Sequence, residues 1–318
     1  MNSGRIGICS YKFVELQLKT LRGLGTRMVL DNKEEFKKIY GNLLGILNTE
    51  VNTSVVHTLV QFYNPPMRCF TFQDYQLALT LEEYSHILGV GIKNRVPFFS
   101  TKELPKSHLI SEAPSLEKKE VELNLKLKGG THSFTLKFQI GKATDVGSWN
   151  ALNVILALLM YGIVLFPNME EFVDFASIHT IMTKNHVRTL LANTYYCIHV
   201  RNHKKKGTTM CCIPLLYKWF ISHLPNKGPL IENKGNPKWS QRIMSLTGKD
   251  ILWYSRSYDN VKVILNCVNF HNVTLLVTNG GTSYSLRLTL RQLGYPMLDR
   301  PDSKQLEDFV LYEGVDKP

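Results

Sequence analysis

The chain has 318 residues, 44% of them hydrophobic and 20% charged, a composition that excludes the disordered and fibrous classes. Its 38 Lys and Arg residues against 26 Asp and Glu residues give a net charge of +12, which favours anionic partners, nucleic acid above all. The N-terminus lacks the continuous apolar run of a signal peptide, so we expect six reduced cysteines in a nuclear or cytoplasmic protein that is not secreted.

The first helix is predicted to begin near Asp31, where Asp31 and Glu34 give a capping signal. Its apolar stripe has three- and four-residue spacing and comprises Phe36, Ile39, Tyr40, Leu43, Leu44 and Leu47. Residues 1–30 carry five basic side chains and one acidic one, and we expect a basic, flexible arm there. A second helix is predicted from a cap at Ser54 to Tyr63, before Pro65 and Pro66.

A short extended segment, Cys69–Phe72, precedes a third predicted helix that opens at Thr80. Thr80 suits the N-cap position, and Glu83, three residues later, can bond back to the cap amide. The inward face of this helix would be formed by Leu81, Tyr84, Ile87 and Leu88. Gly89 suits a left-handed stop.

The segment 121–140 has two interpretations. Apolar residues alternate strictly on both sides of Gly129 and Gly130, which is typical of a β-hairpin. Leu116–Leu125 is also rich in Glu and Lys, which favours a helix. The pattern alone leaves hairpin and helix–loop–helix open.

The most apolar segment of the chain is Ala151–Phe166, in which Asn153 is the one clearly polar side chain. As a helix it would span about 24 Å, which is short of a hydrocarbon core of about 30 Å. No basic cluster flanks it, as the orientation rule for membrane spans would require. We therefore predict a helix that is buried on all sides and no membrane contact.

The second half of the chain is predicted to be mostly helical. The predicted helices are Met169–Met182, Val187–Val200, Cys212–His223, Lys238–Leu246, Lys249–Tyr258 and Ser285–Leu293. Val261–Val268 and Val273–Val277 are rich in β-branched residues and are predicted to pair as strands, with a turn at Asn279–Gly281. The sequence thus predicts a mainly α protein with a minor β component: one large helical domain over 31–298 and an acidic tail over 299–318.

Cysteines and histidines cluster in one segment that could suggest a metal site. Cys197, His199, His203, Cys211 and Cys212 lie within sixteen residues, and the two histidines have a zinc-type H-x3-H spacing. Adjacent cysteines rarely bind one ion together, and these two open an apolar helix in which they can be small buried residues. We predict no metal.

The densest basic run is RNHKKK, which ends before Gly207. We place it on a loop between two helices, where its cations could contact phosphates in a salt-dependent manner. Its candidate nucleic-acid contacts are Arg201, Lys204, Lys205 and Lys206. No aromatic residue lies among the lysines, so a base-stacking platform is not indicated.

The chain lacks the short motifs of common enzymes. It contains neither G-x-x-x-x-G-K-[ST] nor a G-x-G-x-x-G after a strand, and neither G-x-S-x-G nor H-E-x-x-H. Paired acids such as Glu82 and Glu83 lie in first turns of predicted helices, where they complement the helix dipole. We predict no catalytic residue and no cofactor.

Four segments in order resemble the plant mobile domain, a family derived from plant transposable elements, and most closely a legume-expanded branch. They are His57–Ile92, Ala157–Asn168, the pair TLLANTYYCIHV and PLLYKWFISHLP, and Ser285–Pro296. The matching positions are Thr80, Glu83, Gly89, Gly162, Phe166, Pro167, Trp219, Arg291, Gln292 and Gly294. The sequence departs from the family pattern at Leu79, Leu288 and Leu293, where the family has Pro, Arg and Phe.

The resemblance, which covers about residues 34–300, implies a mainly helical domain without established catalytic residues, and it favours helices over 121–140. It implies a non-enzymatic, transposable-element-derived domain with protein or chromatin partners in the nucleus. A nucleic-acid-binding protein that uses residues 201–206 is the alternative, and a degenerate element-encoded enzyme is a second one. The aminotransferase and phosphatase names given to some relatives have no matching motif in this chain.

Overall fold

The computed structural model describes residues 12–13, 18–28, 30–92, 124–128, 131–135, 137–138, 140–141, 149–167, 172–174, 180, 186–204, 208–225, 238–253, 273–277, 280–284 and 286–293. Helices dominate these residues, and short strands form a minor component, as predicted. The acidic tail 299–318 lies outside the described residues.

Residues near the N-terminus contribute to the fold. Strand β1 (Lys12–Phe13) pairs in parallel with β8 (Thr208–Thr209). Helix α1 (Leu18–Thr26) buries Leu21 and Leu24, and the Arg22 guanidinium donates hydrogen bonds to the Leu47 and Thr49 carbonyls. The described part of the expected basic arm is therefore packed against the domain.

The first predicted helix is two helices, α2 (Leu30–Tyr40) and α3 (Leu43–Leu47). Gly41, with φ of 73°, separates them, and the Asn42 N–H donates to the Leu88 carbonyl at 2.6 Å. The prediction that Ile39 belongs to the buried stripe is wrong, since its side chain is 51% exposed. Helical periodicity does not continue across the left-handed Gly41, so the buried Leu43 and Leu47 belong to a separate helix, α3.

A small antiparallel sheet follows helix α4 (Thr53–Leu59) and a 3₁₀ turn, Val60–Phe62. Its strands lie in the order β2 (Tyr63–Asn64), β3 (Cys69–Thr71) and β4 (Gln76–Leu77), and helix α5 (Leu81–Leu88) begins soon after. The extended segment was predicted correctly. The predicted cap Ser54 is wrong, because the Asn52 side chain accepts the Ser54 N–H at 3.1 Å and α4 starts at Thr53.

The hairpin interpretation of 121–140 is confirmed for residues 125–128 and 131–135, whereas residues 124, 137–138 and 140 are helical. Strands β5 (Leu125–Lys128) and β6 (Thr131–Thr135) pair antiparallel, with Lys128 opposite Thr131. The helical preference taken from the family resemblance is therefore wrong for the two strands, where the strict alternation decides the structure, and it agrees with the helical residues 124, 137–138 and 140. Strand β7 (Phe172–Asp174) pairs with β6, so the helix predicted over Met169–Met182 is also wrong at those positions.

The apolar segment is a buried helix, as predicted. Helix α6 (Trp149–Leu159) continues as a π-helix, Met160–Leu165, in which the Phe166 N–H donates to the Tyr161 carbonyl at 2.8 Å. Almost every side chain from Ala151 to Phe166 is buried. Asn153 is buried too, and exchanges two amide hydrogen bonds with Asn32 of α2. Among the described residues, no helix combines the length and apolarity needed to cross a bilayer.

Three helices of the second half agree with prediction: α7 (His186–Lys204), α8 (Ile213–Ser222) and α9 (Trp239–Met244). Helix α7 packs against α5, while α8 packs against α4 and α5. The helix predicted over Lys249–Tyr258 is wrong for 249–253, which are irregular. There the Asp250 carboxylate accepts both the backbone N–H and the hydroxyl of Thr247, and this local turn competes with helix.

The C-terminal part contains strands β9 (Val273–Val277) and β10 (Gly280–Tyr284), which form an antiparallel hairpin that packs against α7. The partner of Val273–Val277 is thus β10, and the predicted partner Val261–Val268 lies outside the described residues. Gly280 and Gly281, predicted as part of a turn, are strand residues instead. The predicted last helix is confirmed as α10 (Leu286–Gln292), which lies beside β4.

Candidate functional site

The first turn of α5 places a carboxylate in the protein interior. Thr80 has extended dihedrals and caps the helix, its Oγ1 accepting the Glu83 N–H at 3.1 Å. The same hydroxyl donates to Glu83 Oε2 at 2.8 Å. The predicted cap is therefore confirmed, although Glu83 bonds to the cap hydroxyl, where we expected the cap amide. This turn fixes the Glu83 side chain over its own helix start.

Helix α8 brings two donors to this carboxylate from one face. Trp219 and His223 are four residues apart, and their rings meet edge to face with centroids 5.3 Å apart. The Trp219 Nε1–H donates to Glu83 Oε2 at 2.8 Å, and His223 Nε2 lies 3.1 Å from Glu83 Oε1. The other ring nitrogen, His223 Nδ1, lies 2.9 Å from the Leu252 carbonyl oxygen. Both nitrogens of the imidazole are thus engaged.

Helix α10 supplies the last member, Gln292. Its Nε2 donates to the Glu83 carboxylate, at 2.8 Å from Oε1 and 2.9 Å from Oε2, and to the Ala78 carbonyl at 2.8 Å. Its Oε1 accepts the Ala78 N–H at 2.9 Å. One side-chain amide therefore joins α10 to the carboxylate and to the backbone after β4. We refer to Thr80, Glu83, Trp219, His223 and Gln292 as the polar clasp.

The polar clasp is fully enclosed, since Glu83 is 1% exposed and His223 3%. Burial by itself would raise the pKa of Glu83, but the His223 charge and the hydrogen bonds from His223, Gln292 and Thr80 hold it below its ordinary value. Burial would lower the pKa of His223, but the Glu83 charge and hydrogen bond and the Leu252 carbonyl raise it. The lowered pKa of Glu83 and the raised pKa of His223 both favour an ion pair of anionic Glu83 and cationic His223.

The structure brings together four of the ten family-motif residues. Thr80, Glu83, Trp219 and Gln292 come from three separate motifs and meet at one carboxylate. Gly89 is the left-handed C-cap of α5, with φ of 64°, as predicted. Gly162 lies in the π-helix, and the ring of Phe166, which precedes Pro167, stacks on Tyr161. The Arg291 side chain and Gly294 lie outside the described residues.

His223 is the member that sequence reasoning missed. It lies within the segment PLLYKWFISHLP, yet no motif singled it out. The available signal was its position at the C-cap of α8, four residues after Trp219 and therefore on the same side of the helix. A histidine at that spacing from a buried aromatic residue is a reasonable candidate partner for a buried acid.

The basic run differs from prediction in its local structure. Arg201 and Lys204 lie in the last turn of α7, so the expectation of a loop is wrong for 201–204. The helix persists there because basic residues suit a helix C-terminus and no breaker occurs before Gly207. The side chains of Arg201 and Lys204, and all of Lys205 and Lys206, lie outside the described residues, so the structure does not place these candidate contacts.

The cysteines near α7 are packed as core residues. Cys197 Sγ donates to the Met210 carbonyl at 3.1 Å, and Cys211 and Cys212 are buried. Burial raises the pKa of Cys197 and of Cys212 to about 12, so both are neutral thiols at neutral pH. In the part of the chain that the structure describes, no three His, Cys, Asp or Glu side chains are grouped so that they could hold a metal ion.

Comparison with known proteins identifies a family. Residues 21–318 match the family described as "Domain of unknown function (DUF7745)". No curated protein and no solved structure matches the chain.

Proposed function

The chain belongs to the DUF7745 family, and on that premise we propose that it is a non-enzymatic interaction domain with protein or chromatin partners in the nucleus. We further propose that the domain derives from a transposable element, which the resemblance of its four motifs to the plant mobile domain supports. The net charge of +12 supports a partner with anionic surface, such as chromatin.

The observation that carries the proposal is the enclosure of the polar clasp. A catalytic acid or base has to reach the substrate atom from which it takes, or to which it gives, a proton. Glu83, His223 and Gln292 are buried, and their hydrogen bonds go to groups of the same chain. Four family-motif residues are thus used to hold α5, α8 and α10 together. This supports a domain whose motifs maintain a scaffold and whose surface carries the binding function.

Binding to chromatin can be tested with two labelled probes, a mononucleosome and the same DNA without histones. The interaction domain is expected to bind the mononucleosome more tightly than the free DNA, with the preference retained as salt rises. If the protein binds neither the mononucleosome nor the free DNA, the chromatin role is contradicted. A metal- or nucleotide-dependent activity that is lost on a single acid substitution would contradict the non-enzymatic role and support a degenerate element-encoded enzyme.

Direct nucleic-acid binding through Arg201, Lys204, Lys205 and Lys206 is the second candidate, favoured by the basic end of α7 and the overall charge. It predicts equal binding of the two probes and an affinity that falls steeply with salt. The variant Lys204→Ala, Lys205→Ala, Lys206→Ala should then reduce the log–log salt slope by up to about 0.9 for each phosphate that is no longer bound. An affinity for free DNA that is insensitive to salt, or to this variant, would contradict it.

A further inference from the structure

The hydrogen bonds of His223 determine where its proton lies. The Leu252 carbonyl oxygen can only accept, so His223 Nδ1 must carry a hydrogen in either charge state. The second nitrogen, Nε2, lies 3.1 Å from Glu83 Oε1. A favourable contact across that distance requires one proton between the two atoms. The pair Glu83–His223 therefore shares a single proton.

Loss of that proton would leave a lone pair of His223 Nε2 facing the lone pairs of Glu83 Oε1 in the interior. Neutral His223 with hydrogen on Nδ1 presents a bare Nε2 to the anionic carboxylate, which is a repulsive contact in a poorly solvated site. The nearest donor that can respond is Gln292, whose Nε2 lies 3.4 Å from His223 Nε2. Its two N–H groups are already directed at Glu83 and the Ala78 carbonyl.

The tyrosine and cysteine side chains on the neighbouring elements stay neutral near neutral pH. Burial raises the pKa of Tyr84, on α5, well above its ordinary value. Just before α8, burial raises the pKa of Cys211 well above its ordinary value and the pKa of Cys212 to about 12. On β3, burial raises the pKa of Cys69 to about 11. Glu82, also buried on α5, has an interaction of its own. Within the described residues, the one charged group that shifts the pKa of each pair member is the other member of the pair.

We propose that Glu83, His223 and Gln292 form a proton-dependent latch, in which the proton shared by Glu83 and His223 determines how firmly helix α10 is held against the backbone of Ala78. The latch is independent of the proposed interaction role, because it rests only on contacts inside the domain. With the proton in place, His223 Nε2 carries a hydrogen and cannot accept, so the two N–H groups of Gln292 are donated to Glu83 and to the Ala78 carbonyl. Without the proton, the Gln292 amide has competing acceptors and α10 opens more often.

The direction of the pH dependence follows from the two shifts. The contribution of His223, whose pKa is raised, is complete below its ordinary value of 6.5 and is lost as pH rises through the folded-state value. The contribution of Glu83, whose pKa is lowered, is complete above its ordinary value of 4.5 and is lost as pH falls through the folded-state value. The latch is therefore strongest between pH 4.5 and 6.5 and weakens on both sides.

Amide hydrogen exchange of the full chain, read by mass spectrometry and corrected for intrinsic rates, tests the latch. From pH 6 to pH 9.5, protection of residues 286–293 should fall roughly tenfold to a hundredfold, the range that corresponds to a buried polar group left without its partner. Helix α2, residues 30–40, serves as the internal reference and should change much less. Equal loss of protection in both helices, or unchanged protection in α10, would overturn the proposal.

Two variants isolate the titrating group. His223→Gln can still donate an N–H to Glu83 but cannot titrate, so its α10 protection should be independent of pH over this range. The matched control His86→Gln alters an exposed histidine of the same helix as Glu83 and should keep the wild-type profile. A wild-type profile in His223→Gln would overturn the latch.

A measurement on the unmodified protein makes the test independent of the folding of any variant. With ¹⁵N-labelled histidine, one of the ten histidines should remain protonated above the ordinary range and should deprotonate to the Nδ1–H tautomer. If all ten histidines titrate near pH 6.5, or if the late-titrating one gives the Nε2–H tautomer, the shared proton is excluded.

Discussion

At the scale of single residues, the corner between α2 and α3 depends on two left-handed glycines that lie side by side. Gly41, with φ of 73°, turns the chain out of α2, and Gly89, with φ of 64°, ends α5. Between them, Asn42 donates its backbone N–H to Leu88 and its side-chain amide to Ile87. The last carbonyls of α5 are thus satisfied by a residue far away in sequence.

We expect Gly41→Ala to lower the free energy of unfolding by about 2 kcal/mol or more, because a left-handed conformation costs a residue with a Cβ about 1–2 kcal/mol. The added Cβ would also overlap the Leu88 carbonyl oxygen and the Val90 side chain. Urea denaturation followed by circular dichroism measures the change. Equal stability of Gly41→Ala and wild type would contradict the tight corner.

Gly23→Ala is the matched control. Gly23 lies inside α1 and is exposed, and no atom lies within 4 Å of the place that an added methyl group would take. The same substitution should therefore raise stability there by about 0.5–1 kcal/mol, the helix propensity difference between the two residues. Opposite signs for the two variants are the expected result.

At the scale of elements, a reciprocal pair of amides joins α2 to the apolar helix α6. Asn32 donates to Asn153 Oδ1 at 3.2 Å, and Asn153 donates to Asn32 Oδ1 at 3.0 Å. Both side chains are buried. Because each amide satisfies the other, the pair fixes which side of α6 faces α2 within an otherwise apolar surface.

We expect Asn32→Ala and Asn153→Ala each to cost about 1–3 kcal/mol, since each leaves a buried amide without its partner. The double variant should cost less than the sum by about 0.5–3 kcal/mol. A double-mutant cycle by urea denaturation measures this coupling. Asn150→Ala, at an exposed position of the same helix, should change stability by no more than about 0.5 kcal/mol. Additive losses would show that the two amides act separately.

Local features were predictable from sequence and distant contacts were not. The cap at Thr80, the left-handed Gly89 and the buried Ala151–Phe166 helix each depend on neighbours along the chain, and each is confirmed. The convergence of Trp219 and Gln292 on Glu83 spans 136 and 209 residues of sequence, and no local spacing encodes it. The break at Gly41 was missed for the same reason, because its cause is the contact of Asn42 with Leu88.

At the scale of the whole molecule, the described cysteines are distributed through the interior. Cys69, Cys211 and Cys212 are buried and Cys197 is half-buried, and none of the four is in a disulfide. Because burial keeps these thiols protonated, they are poor nucleophiles while the domain is folded. Their reactivity therefore reports on opening of the whole domain.

We expect iodoacetamide at pH 7.5 to label these four cysteines slowly in the native protein and rapidly in urea. Mass spectrometry of tryptic peptides gives the rate at each site. The same peptides in denaturant provide the control for intrinsic reactivity. Rapid native labelling of Cys211 or Cys212 would contradict their placement in the core.

The Gln292 amide also has a consequence for self-association. Among the described strands, β4 lies at the edge of the β2–β3–β4 sheet, and the unpaired side of an edge strand can pair with another chain. Ala78 lies directly after β4. Gln292 Oε1 accepts the Ala78 N–H and Gln292 Nε2 donates to the Ala78 carbonyl, so the side-chain amide bonds to Ala78 as the backbone of a neighbouring strand would. The Gln292 side chain thus makes hydrogen bonds at the edge of this sheet that a further strand would otherwise make. Release of α10 would leave the Ala78 N–H and carbonyl without these hydrogen bonds, as at an open sheet edge.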